Sequence, residues 1–147
     1  MRKSPHTAER EVERTIADLV QGFAVAHLGS LVQHHLSRQP GELEFKASAS
    51  ADPLSRCLIL RVAFAHPHQQ VHIPNVYMPE SLRGRGLGKL LIHQIYVAAG
   101  ECGYETFVVQ LTEGFMRRLV KRGAFVSDED SVQITPTTDL LSPVVSS

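Results

Sequence analysis

The sequence predicts a single mixed α/β domain, and three observations carry that expectation. Apolar residues recur at three- and four-residue steps near the start, the period of a helix with one buried stripe. A block of alternating or continuous apolar runs follows, as strands require. A glycine-rich bend then opens a second helix that leads into a further strand, so the sheet must mix antiparallel and parallel neighbours with helices on its faces. With 147 residues, 43% of them hydrophobic, the chain can bury one sizeable core without disulfides or metal.

Each element has its own warrant. Thr7 can cap a first helix, with Glu9, Glu11 and Glu13 near its positive end. Val12, Ile16, Leu19, Val20, Phe23, His27 and Leu28 form its stripe, and Gly29 fits its stop. Ser30 with Gln33 resembles a capping box, which predicts a short second helix over residues 31–36, closed by "SRQPG". Three strands are expected next: "ELEFKASA", which alternates; "RCLILRVAFA", a continuous apolar run; and "VHIPNVYM". Pro74 lies inside the third and cannot donate to a ladder, so a bulge, an edge or a gap belongs there. "SADPLS" and "HPHQ" read as tight connections between antiparallel neighbours. A helix from about Gly86 to Ala99, a strand in "YETFVVQL", a basic helix in "EGFMRRLVKRG" and a hairpin around "SDED" complete the order. Residues 1–135 thus form one domain, and residues 136–147 lack any period and are expected to be a mobile tail or one draped on the surface.

Composition excludes several classes. Fifteen cations balance fifteen carboxylates, so the whole-molecule field favours neither nucleic acid nor a membrane surface. Cys57 and Cys102 match no CxxC pattern and read as free thiols of a reducing compartment. The opening "MRKSPHTAEREVERT" is too polar for a signal peptide, and no run of about 18 apolar residues could span a bilayer. The cytoplasm is the expected location.

The chemistry concentrates in "LRGRGLGK", residues 82–89. Glycines before a helix let backbone N–H groups converge on one point, reinforced by the positive end of the helix dipole. Arg83, Arg85 and Lys89 add charge of the matching sign, and arginine can grip a phosphate through two donors at once. A phosphate or pyrophosphate is the ligand class this favours. The P-loop pattern fails, because Gly84 and Gly88 are too close and Lys89 is followed by Leu90; the dinucleotide fingerprint fails because Gly88 comes one position early. The spacing present is Arg83-x-x-Gly86-x-Gly88.

That spacing, set in "VYMPESLRGRGLGKLLI" and followed by "YETFVVQL" and "FMRRLVKRGAF", resembles the GNAT acyltransferase superfamily over residues 75–125. The resemblance implies a GNAT-like fold whose first strand is missing here. It implies acyl transfer, most simply of acetyl from acetyl-CoA to an amine that attacks the thioester directly. Arg83, Gly84, Arg85, Gly86, Leu87, Gly88 and Lys89 would then hold the pyrophosphate, and Val76, Tyr77 and Met78 the pantetheine arm, with Thr112 near the sulfur. Where many members carry an Asn and a Tyr, this chain has Thr112 and Leu119, so the usual acid is absent. Tyr77 or Tyr104 could replace it, or the thiolate leaves unaided, or the protein is a non-catalytic module that binds a partner or senses acyl-CoA.

Candidate bases are His72, Glu113, and His66 or His68. The histidines, His34 and His35 included, fit no zinc spacing, and no metal is expected. Arg117, Arg118, Lys121 and Arg122 read as a solvated face that also meets the coenzyme's 3′-phosphate. The rival reading of that helix, an RNA-facing patch as in toxin-like members that acylate aminoacyl-tRNA, lacks an interleaved aromatic platform. The acceptor is a small-molecule or protein amine, and a homodimer is the expected assembly.

Overall fold

A computed structural model describes residues 5–27, 33–48, 57–76 and 86–142. Its elements are α1 (Pro5–His27), β1 (Gln33–Gln39), β2 (Glu42–Ser48), β3 (Cys57–Ala65), β4 (Gln70–Val76), α2 (Leu87–Glu101), β5 (Glu105–Val108), α3 (Glu113–Lys121), β6 (Phe125–Asp128) and β7 (Ser131–Ile134). The seven strands form one mixed sheet in the order β1-β2-β3-β4-β5-β7-β6. Every neighbouring pair is antiparallel except β4 and β5, which the α2 crossover makes parallel.

One face of the sheet is apolar across its width. Leu43 and Phe45 of β2, Leu60, Val62 and Phe64 of β3, Val71 and Ile73 of β4, Val108 of β5, and Val132 and Ile134 of β7 are all buried. Register ties them into one surface, since Leu43 lies opposite Val62, Phe64 opposite Val71, Ile73 opposite Val108 and Val108 opposite Val132. Val12, Ile16, Val20 and Phe23 of α1 join Leu91, Ile92 and Ile95 of α2 in the same core, so the expected stripe is the buried one. The opposite positions, among them Arg61, His72, Phe107 and Gln133, stay partly exposed.

Two expectations are corrected near the start. The helix already includes Pro5 and His6, so Thr7 lies inside it rather than capping it. The short helix expected over residues 31–36 is instead β1 from Gln33 onward, paired with β2 from Gln33↔Ser48 to Gln39↔Glu42. Ser30, half of the expected capping box, lies outside the described residues. Pro40 and Gly41 make the two-residue hairpin turn, with Gly41 at φ +77°, a conformation glycine adopts without cost. Helix propensity over six residues yields to a full ladder on β2.

The lower end of the sheet is locked by side chains. Glu13 of α1 accepts from His66 Nε2 at 2.6 Å, and His66 Nδ1 meets the Tyr104 hydroxyl at 2.7 Å. The imidazole also stacks on Phe64, with ring centroids 5.6 Å apart and planes 7° from parallel. We expect His66→Phe, which keeps the stacking but leaves both polar partners unpaired, to destabilise the fold by about 2 kcal/mol. Urea denaturation monitored by circular dichroism checks this, and Glu13→Gln, which can still hydrogen-bond, should cost less.

The expected tail is anchored over its described part. Leu140 is 3% exposed, the Asp139 N–H donates to Arg122 O at 2.8 Å, and Arg122 Nη1 donates to the carbonyls of Asp139 and Ser142, both at 3.0 Å. Residues 136–142 are therefore packed on the fold; residues 143–147 lie outside the described ones. No described helix is long and apolar enough to cross a membrane.

Candidate functional site

Pro74 organises the site. The β3–β4 register slips between Arg61 and Ala63, which lie opposite Asn75 and His72, so β4 bulges at Ile73 and Pro74. Pairing between β4 and β5 stops at the same place: the last partners are Ile73 and Val108, followed by one bond from the Val109 N–H to Ile73 O at 3.1 Å. Beyond it β4 continues beside β3 to Val76. The other wall turns away through Gln110, at φ +54°, and the Leu111 N–H bonds Asp130 O in the β6–β7 turn at 2.8 Å. A notch opens between the strands. Along it, the backbone groups of Asn75 and Val76 that do not bond β3 have no partner among the described residues.

Because β4 and β5 are parallel, the N-terminus of α2 lies at the same end as the notch. Gly86 is its N-cap, at φ +70° and without any side-chain cap. The first intrahelical bond runs from the Leu90 N–H to Gly86 O at 3.0 Å. The N–H groups of Leu87, Gly88 and Lys89 therefore have no intrahelical acceptor, and among the described residues none is supplied from elsewhere. Leu87 is buried and fixes the helix end in the core. Of the other residues expected to hold a coenzyme, Tyr77, Met78, Arg83, Gly84 and Arg85 lie outside the described residues.

The electrostatics match this end. Burial pushes the Lys89 ammonium below its ordinary pKa, and Arg122 and Arg118 press it the same way. Among the described residues no carboxylate acts on Lys89 itself, although Asp139 faces Arg122. The basic helix divides its labour: Arg117 pairs with Glu113 at 3.2 Å on an open surface, Arg122 holds the C-terminal segment, and Arg118 makes one long bond to Gly114 O at 3.3 Å. Among the described residues at this end and on α3, Lys89, Arg118 and the exposed Lys121 hold no carboxylate.

The other candidates separate sharply. Thr112 is the N-cap of α3, its hydroxyl oxygen accepting from the Phe115 N–H at 3.3 Å, which still leaves its proton to donate. Glu113 is 89% exposed and engaged by Arg117, the pattern of a surface i,i+4 pair. Leu119 is wholly buried and offers no proton. His66, His68 and Tyr104 sit at the β3–β4 turn and before β5, the end opposite the notch. Tyr104 is thereby removed as a substitute acid, and its phenol, with a pKa raised by burial and by Glu9, Glu13 and Cys102, stays protonated.

His72 remains. It neighbours Ile73 at the floor of the notch and points to the face opposite the buried one. Its Nε2 lies 3.0 Å from Gln70 Oε1 and its ring meets Phe107 edge-on at 5.6 Å. Burial, then His68, push its pKa below the ordinary value, so it is neutral at pH 7. Among the described residues no three metal-ligating side chains gather.

No family model matches the sequence, and no curated protein matches it. Solved structures similar to this chain include a nourseothricin acetyltransferase (15% identity over 64% of this chain and 63% of that one, TM-score 0.37). A putative acetyltransferase from Agrobacterium tumefaciens is similar at 14% identity over 84% and 88%, with a TM-score of 0.37. A GNAT family N-acetyltransferase from Escherichia coli in complex with CoA is similar at 19% identity over 90% and 76%, with a TM-score of 0.38.

Proposed function

We propose that the protein is an acyl-CoA-dependent N-acyltransferase, with acetyl-CoA as the simplest donor and an amine as acceptor. One observation carries the reading: the end of the β4–β5 pairing and a helix N-terminus whose amides have no cap among the described residues lie at the same end of the sheet. An extended ligand bearing a diphosphate fits both, with its arm along Asn75 and Val76 and its phosphates on the Leu87, Gly88 and Lys89 amides. Lys89 and Arg118 supply counter-charge, and Arg83 and Arg85 are assigned to the same task from their place in the loop.

When bound, the coenzyme supplies an activated acyl carbonyl. The chain's own work is then to hold and to deprotonate. The β4 edge orients the carbonyl at the notch floor. His72, neutral at pH 7, accepts the proton that the attacking amine must lose, help typically worth about 10²–10⁴-fold. Thr112 can donate its hydroxyl proton in a hydrogen bond to the departing sulfur.

Titration calorimetry with acetyl-CoA tests the binding. Gly86→Val should weaken it roughly five- to thirtyfold: a Cβ there meets nothing within 4 Å among the described residues, so the loss would come from the left-handed backbone, about 1–2 kcal/mol for an L side chain. Folded protein that gives no heat at millimolar acetyl-CoA overturns the reading. The buried Leu119 favours a second reading, a module that binds acyl-CoA without turnover. Thiol release measured against a panel of amines separates the two.

A further inference from the structure

Gln70 is bonded to the proposed base, and the register explains why. Gln70 and His72 stand two apart on β4, so their side chains share the open face of the sheet. We propose that Gln70 is a positioning residue: its amide oxygen accepts from His72 Nε2–H, fixing the tautomer in which Nδ1 carries the lone pair that takes the acceptor's proton. This rests on the acyltransferase reading above. In the step itself the amine nitrogen donates its pair to the acyl carbon, the carbon–sulfur pair leaves with the thiolate, and the surplus proton passes to Nδ1.

The surroundings favour this arrangement over a merely structural one. Glu105, opposite Gln70 on β5, accepts from Gln133 Nε2 at 2.7 Å, which engages that carboxylate elsewhere. Arg61 of β3 is held by Glu44 at 2.7 Å and Glu42 at 3.3 Å. His68, on the turn below, disfavours a charged His72. Ala63, opposite His72 on β3, and Phe107 on β5 add no titrating group. Among the described residues Gln70 is the ring's polar contact, and an amide can orient an imidazole without stabilising its charged form as a carboxylate would.

The test combines ¹⁵N-resolved NMR of the His72 ring with the pH dependence of kcat/KM, using acetyl-CoA and whichever amine gives thiol release. In the wild type the ring should be the Nε2–H tautomer, and the acid limb should fall below the ordinary imidazole value of 6.5. Gln70→Leu should mix the tautomers and lower kcat about tenfold at an unchanged KM for acetyl-CoA. Gln70→Glu should restore the tautomer but raise the acid limb by roughly one to two units, because a carboxylate stabilises imidazolium. An unaltered tautomer in Gln70→Leu, or an altered one with kcat and the limb unmoved, overturns the positioning role while leaving acyl transfer intact. Coenzyme binding without turnover in the wild type removes both.

Discussion

Replacing Gly123 by alanine should destabilise the protein by about 3 kcal/mol, the largest single effect we expect outside the apolar core. Two costs combine. Gly123 has φ +96°, which an L side chain tolerates poorly, at about 1–2 kcal/mol. An added Cβ would also stand 2.7 Å from Thr137 O, a backbone atom that cannot swing aside, and overpacking of this kind typically adds about 1–3 kcal/mol. Thr138, whose hydroxyl donates to Gly123 O at 3.3 Å, belongs to the same junction. For a chain of this length the melting temperature should fall by roughly 6–12 °C. Differential scanning calorimetry reads it directly, and a shift under 2 °C would show that the 136–142 segment can yield without cost. Gly103, also at positive φ but with open space around its Cβ position, is the control and should lose less.

Lys89→Met should act in opposite directions on stability and on binding. In the free protein the Lys89 ammonium is disfavoured by burial and by Arg122 and Arg118. Its folded pKa lies below the unfolded value, so the unfolded chain holds the proton more tightly, and stability should rise as pH climbs through the folded value. Removing the charge has the same sign at neutral pH. The group is partly exposed, so solvent screening keeps the gain small, on the order of a few tenths of a kcal/mol. Binding moves the other way. A charge-assisted contact to phosphate is worth about 1.5–3 kcal/mol, so acetyl-CoA affinity should fall roughly ten- to a hundredfold. Chemical denaturation of the free protein and calorimetry with acetyl-CoA give the two numbers. A variant that loses stability while keeping its affinity would mean that Lys89 is structural and that the cations at α2 serve no anion.

On the proposed reading, like charges are held together here at a cost that an anionic ligand would offset. The fold also explains why the basic helix was only half legible as a run of Arg and Lys. Composition gives four cations. The fold sends Arg117 to Glu113, commits Arg122 to the C-terminal segment, leaves Lys121 exposed, and sets Arg118 to face Lys89 from another element.

The residues alone were enough for the helix stripes, the strand runs, the glycine that opens α2 at Gly86 and, through Pro74, the break in β4. All of these are local: a period, a missing N–H or a permitted positive φ is a property of a few neighbouring residues. β1 was misread for the complementary reason, since nothing within "QHHLSRQ" reveals the β2 ladder that holds it. The same limit governed the candidate catalytic groups. His66, His68, His72 and Tyr104 are equivalent by composition, yet strand order sends all but His72 to the end away from the notch. Which side chains meet depends on sheet order and register, contacts between residues far apart in the chain, and only the packed tertiary structure decides them.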